Sequence, residues 1–178
     1  MNSSFRISVL AAALVVAGAA VFSGNAVAAP RQIASQATNY CQSALPVFDG
    51  NIRKRPLGVQ NEGTGNAFVT CSYPTGEGRT SGSNTTRVWQ YFLNNTDEDI
   101  TVNCTGVSGT VAATAQYVPK DIVVPAGGAS AELSWFAEDF AGAPAVFPNQ
   151  GVFSISCAIP PGAGLRQSYV DSDEDIGA

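Results

Sequence analysis

The chain contains no histidine. That absence removes every Ser-His-Asp triad and Cys-His dyad, and every transition-metal site built on imidazole. Charge is also sparse: Asp, Glu, Lys and Arg make up 13% of the residues, and 14 acids outnumber 9 cations. The only basic cluster is Arg53-Lys54-Arg55, which reads as a solvated loop. A nucleic-acid partner is excluded on this balance, because a phosphate backbone demands a positive face. The four cysteines form no C-x-x-C pair, so zinc has no ligand set either. Beyond the first 28 residues there is no long apolar run, and nothing is expected to hold the processed chain in a membrane.

What the first 28 residues do contain is the pattern of an export leader. A short polar start with Arg6 precedes the apolar run Ile7–Phe22, and the small-residue triplet Ala26-Val27-Ala28 follows. These are the n-region, h-region and cleavage site of a secretory signal. The run is shorter than the roughly 20 apolar residues a membrane span requires. Cleavage after Ala28 is expected, which leaves eight cations against fourteen acids, a net charge of −6. The expected location is secreted or periplasmic.

An exported chain with an even number of cysteines is expected to form disulfides. Cys41, Cys71, Cys104 and Cys157 allow three pairings. Nearness in sequence favours Cys41–Cys71, and Cys104–Cys157 then joins two strand-like segments. Residues 29–65 lack sustained periodicity and read as an irregular N-terminal arm. From 66 to 170 the chain reads as short strands between turns. Arg87–Leu93 sets Val88, Gln90 and Phe92 against Trp89, Tyr91 and Leu93. Ile100–Thr105, Ala129–Phe136 and Val152–Ile159 alternate in the same way. Thr110–Val118 and Asp121–Val124 are split by Pro119. Ala137–Gln150 is a loop with room for one helical turn. Leu165–Val170 forms a last edge strand, and 171–178 is an acidic tail. The fold class is all-β: a disulfide-stapled antiparallel β-sandwich, immunoglobulin-like or jelly-roll.

Three candidate sites follow. Trp89, Tyr91 and Trp135 are aromatic side chains of the kind on which a sugar ring stacks. If Val88 and Phe92 fill the core, Trp89 and Tyr91 face outward. In the reverse register they are core residues. Asp97, Glu98 and Asp99, with Asn94 and Asn95, offer hard oxygen ligands for calcium, as do Asp171, Asp173, Glu174 and Asp175. Neither run matches an EF-hand loop, and the alternative for both is plain solvation. Glu132 with Glu138 or Asp139 supplies the paired carboxylates of a hydrolase, against the alternative of surface charges. The triplets beginning at Asn84, Asn94 and Asn103 match the N-glycosylation acceptor, relevant only to a eukaryotic pathway. No cofactor other than calcium is expected.

The stretch Cys157-Ala-Ile-Pro-Pro-Gly-Ala-Gly-Leu, followed by Tyr169 and Asp-Glu-Asp-Ile-Gly, resembles the C-terminal ends of a group of uncharacterised exported bacterial proteins. Val69-Thr70-Cys71 and the segment from Asn94 to Cys104 are similar too. The resemblance implies export and a β fold, and no activity. The chain is therefore expected to be an exported, non-catalytic binding or structural protein. The alternatives are a carbohydrate- or surface-binding module and a carboxylate-based hydrolase. A glycan or a cell-surface protein is the expected partner.

Overall fold

The computed structural model describes residues 28–73, 84–109, 115–142, 146–148 and 152–175. Residues 30–174 form one compact unit. The leader expected over residues 1–28 falls, up to residue 27, outside the described residues.

Eleven strands are present among the described residues: β1 (Ala28–Gln36), β2 (Cys41–Ser43), β3 (Ile52–Arg55), β4 (Gly58–Asn61), β5 (Ala67–Tyr73), β6 (Thr85–Asn94), β7 (Ile100–Ser108), β8 (Gln116–Val124), β9 (Ser130–Phe136), β10 (Phe153–Ile159) and β11 (Ala163–Asp175). A single helical turn, α1 (Ala37–Tyr40), links β1 to β2. Short 3₁₀ turns occupy Pro46–Phe48 and Ala137–Asp139. Sheet A has the order β3-β4-β11-β6-β9, with β1 also paired to β11. Sheet B has the order β2-β5-β10-β7-β8. The ladders whose registers are described run antiparallel. Inner residues of both sheets share one core, which includes Val88, Phe92 and Trp135 from sheet A and Val102, Ile155 and Cys157 from sheet B. The architecture is an antiparallel β-sandwich.

Four expectations are corrected. Residues 29–65 are not an irregular arm: they contain β1–β4, three of which belong to sheet A. β2, β3 and β4 have three or four residues each, too few for alternation to show. Leu165–Val170 is not an edge strand but part of β11, which lies between β4 and β6. Residues 171–175, expected to belong to an acidic tail, continue that strand. Its alternation is masked by a register shift between Leu165 and Ser168, a bulge that places both Leu165 and Ser168 inward. Pro119 does not split two strands either. β8 runs through it as the edge of sheet B, where a missing N–H breaks no ladder.

Both disulfides, Cys41–Cys71 and Cys104–Cys157, lie within sheet B. Each joins residues directly opposite on neighbouring strands, with Cα atoms 4.0 Å apart. The Pro160-Pro161-Gly162 turn carries the chain from sheet B to sheet A. Gly162 has φ +78°, a left-handed conformation that favours glycine. Its N–H donates to Asn61 O at 2.9 Å, and its carbonyl accepts from Asn95 N at 3.1 Å.

Candidate functional site

The β6 sequence decides which face of sheet A is open. Val88, Gln90 and Phe92 are fully buried and point at sheet B. The opposite parity, Arg87, Trp89, Tyr91 and Leu93, therefore lies on the outer face. Register across the sheet adds the partners. Trp89 sits opposite Tyr169 of β11 and Ser134 of β9, and Arg87 opposite Phe136. Tyr91 sits opposite Glu132.

These side chains form one connected surface. The Trp89 and Tyr169 rings stack with centroids 5.2 Å apart and planes 18° from parallel. Tyr91 meets Tyr169 edge-on at 6.1 Å. The Arg87 guanidinium lies 4.2 Å from the centre of the Trp89 ring and 5.0 Å from that of Phe136, a cation–π geometry. Arg87 forms an ion pair with Glu132 and donates to Ser134 Oγ at 2.8 Å. Glu132 also accepts from Tyr91 OH and from Ser134 Oγ, both at 2.8 Å. The hydrogen bond to Glu132 pushes the Tyr91 pKa up from its ordinary value, because the protonated phenol donates it. Trp89 is only 7% exposed beneath these neighbours. The open part of the platform is thus Tyr91, Tyr169 and Phe136, with Arg87 and Glu132 between them.

Trp135, grouped with Trp89 and Tyr91 on sequence, belongs elsewhere. It is wholly buried, its indole N–H donates to Val118 O at 3.1 Å, and its ring lies 5.9 Å from Phe153. A Cβ added to Gly106 would come within 2.5 Å of its Nε1, so the ring takes the space that glycine leaves. Trp135 is a core residue that joins the sheets.

The carboxylates are also separated by role. Glu132 belongs to the platform. Asp139 pairs with Lys120 of β8 and accepts from Phe136 N at 2.7 Å, which closes the Ala137–Asp139 turn. Glu138 is exposed. Glu132 and Asp139 are thus held by different cations on different sheets. The turn 94–99 is organised by Asn94, whose amide donates to Glu98 O at 2.7 Å and Val124 O at 3.0 Å. Asp99 accepts from Ala126 N at 2.9 Å. Asp97 and Glu98 remain on the exposed surface. Among the described residues, no group of three or more His, Cys, Asp or Glu gathers where a metal ion would sit. Neither Asp97–Asp99 nor Asp171 with Asp173 forms such a group.

Sequence reading missed Arg87, Phe136 and Tyr169 as members of this surface. Arg87 shares the parity of Trp89 and Phe136 that of Glu132, so strand alternation held both signals. Tyr169 was hidden by the bulge.

No known protein family matches the chain, and no curated protein matches it in sequence. Similar folds occur among solved structures. The C-terminal CBM6 of the marine laminarinase LamC from Zobellia galactanivorans is 13% identical, over 79% of this chain and 98% of that one, with a TM-score of 0.43. The family 11 carbohydrate-binding module from Clostridium thermocellum is 10% identical, over 85% and 89%, with a TM-score of 0.39. The CBM36-1 domain of a multidomain xylanase from the hindgut metagenome of Trinervitermes trinervoides is 14% identical, over 83% and 100%, also at 0.39. Likeness this distant assigns neither a family nor a ligand to the chain.

Proposed function

We propose that this is an exported, non-catalytic binding protein that takes a saccharide on the outer face of sheet A. The leader pattern of residues 1–28 and the two disulfides support export. One observation carries the ligand class: aromatic rings at Tyr91, Tyr169 and Phe136 surround the hydrogen-bonding pair Arg87 and Glu132 on an outward sheet face. A sugar offers apolar C–H faces for the rings and hydroxyls for the charged pair, and this surface presents both at adjacent positions. Charge-assisted hydrogen bonds are the stronger kind, so Glu132 and Arg87 set orientation while the rings supply contact area.

The test is a glycan array probed with the oxidised chain from Ala29 onward, alongside Tyr169→Ala and Glu132→Gln. Tyr169 and Glu132 both reach solvent, so either variant keeps the core. Binding by the parent, lost about tenfold or more in both variants with the circular dichroism spectrum unchanged, supports the reading, since each contact is worth at least about 1 kcal/mol. Binding that survives both substitutions removes the platform as the site. No glycan binding by the parent sinks the saccharide reading itself.

A further inference from the structure

The bulge in β11 adds a cation to the outer face of sheet A. Leu165 lies opposite Phe92 and Ser168 opposite Gln90, and all four are buried. Arg166 and Gln167 fall between them, so two residues of β11 stand against the single residue Tyr91 of β6. Alternation from either flank sends both side chains outward, to the side of Tyr91. In an unbroken strand one of the two would point at the core. The irregularity is held from below: Gln90 Nε2 donates to the carbonyls of Arg166 and Gln167, at 3.3 and 3.2 Å. Bulges are common beside active sites, where they re-aim a side chain.

Arg166 differs from the other arginine of this platform. Arg87 is paired with Glu132. Arg166 is half-buried and takes part in none of the ion pairs among the described residues. Its Nε is covered and has no hydrogen-bond partner, whereas a covered donor ordinarily has one. The carboxylates of this face are engaged elsewhere. Glu132 stands on β9, two strands away, held by Arg87, Tyr91 and Ser134. Asp171 lies opposite Arg87, four residues along β6 from Tyr91, which is about 13 Å at the rise of a strand. It accepts from Gln32 Nε2 at 3.1 Å.

We infer that the saccharide taken by this platform is acidic and that Arg166 binds its carboxylate or sulfate oxygens, an inference that rests on the saccharide reading above. A guanidinium presents a planar fork of donors that matches an oxyanion. Beside Tyr91, it sets the charged group of one sugar unit at the end of the platform away from Asp171. The net charge of the chain, −5, does not oppose this, because exposed charges more than about 8 Å apart are largely screened at physiological salt.

The test uses the oxidised chain from Ala29 onward, which retains the compact unit of residues 30–174. It is titrated calorimetrically with an oligogalacturonate and with the same oligosaccharide methyl-esterified, and with a sulfated galactan oligosaccharide beside its desulfated form. The parent is expected to bind an acidic form about tenfold or more tightly than its neutral counterpart, and the form preferred identifies the oxyanion. Arg166→Gln should remove that preference with the binding of the neutral form unchanged, and Arg166→Lys should restore only part of it. Added salt should weaken the binding of the acidic form by the parent and not by Arg166→Gln. Equal affinity of the parent for acidic and neutral forms overturns the inference without any variant. So does a preference that survives in Arg166→Gln, or binding confined to neutral glycans. In each of those cases binding lost in Tyr169→Ala still upholds the platform. Absence of binding to every oligosaccharide by the parent overturns the inference and the saccharide reading together.

Discussion

Gln90 is a fully buried amide in a β-sandwich core, and such a group persists only when its hydrogen bonds are met. Tyr40 and Tyr73 both donate to its Oε1, at 3.3 and 3.1 Å. Its Nε2 donates to the carbonyls of Arg166 and Gln167, at 3.3 and 3.2 Å. Those are the two residues of the β11 bulge, so Gln90 satisfies the carbonyls that the bulge takes out of the ladder. Tyr40 OH and Ser168 Oγ share a further hydrogen bond of 2.5 Å. Burial pushes Tyr40 up to about 12 and Tyr73 well above the usual phenol range. A phenol that holds its proton more tightly when folded stabilises the fold up to its unfolded pKa, and that stability is lost as pH rises through the folded value. The protein is therefore expected to lose stability between about pH 10, the free tyrosine value, and about pH 12 for Tyr40. Tyr40→Phe should flatten that decline. Urea midpoints measured across this range check it, and a parallel fall in the parent and in Tyr40→Phe would remove Tyr40 as the cause. At this scale the sequence was partly legible. Alternation separated Val88, Gln90 and Phe92 from Trp89, Tyr91 and Leu93, but parity alone does not say which set is inside. The inner set contains a glutamine and the outer a tryptophan, so hydrophobicity pointed the wrong way. Trp135 was placed with the surface aromatics although it shares the parity of Ala131 and Leu133, and the Gly106 gap across the core takes its ring.

The two disulfides act on elements. Cys41–Cys71 ties the short strand β2 to β5 across 30 residues of sequence, and Cys104–Cys157 ties β7 to β10 across 53. On a loop-closure argument these constrain the unfolded chain by about 3.5 and about 4 kcal/mol respectively. Cys104→Ser/Cys157→Ser is expected to cost at least as much as Cys41→Ser/Cys71→Ser, by up to about 0.5 kcal/mol on the same argument. Urea unfolding of the two double variants measures the order, and a larger loss from the Cys41–Cys71 pair would show that native-state packing outweighs chain entropy. The long strands were largely legible: β6, β7, β9 and β10 each run seven residues or more, and β7 and β10 alternate in burial along their length. β3 and β4, four residues each, pair through backbone groups that side-chain patterning does not reveal. β11 was shortened in the reading because its bulge inverts the alternation midway.

At the scale of the whole molecule, the strands that hold each sheet together come late in the sequence. β10 pairs with β5 on one side and β7 on the other, and β11 lies between β4 and β6. A chain cut after Gly162 is expected to lose cooperative unfolding altogether, whereas removal of 176–178 should shift the thermal midpoint little. Thermal melts followed by circular dichroism distinguish the two. A cooperative melt in the chain cut after Gly162 would show that sheet A closes without its middle strand.

That arrangement also sets a schedule. A polypeptide is made from its amino end, so β4, β5, β6 and β7 all exist before the strands that must sit between them. Until residues 153–175 arrive, each of those four keeps a bare row of amides and carbonyls with no mate. A chain halted at that stage has the exposed edges that lead strands to pair with strands of other molecules. The interval between synthesis of β4 and synthesis of β11 is thus the period in which this protein most needs to be kept apart from its own copies.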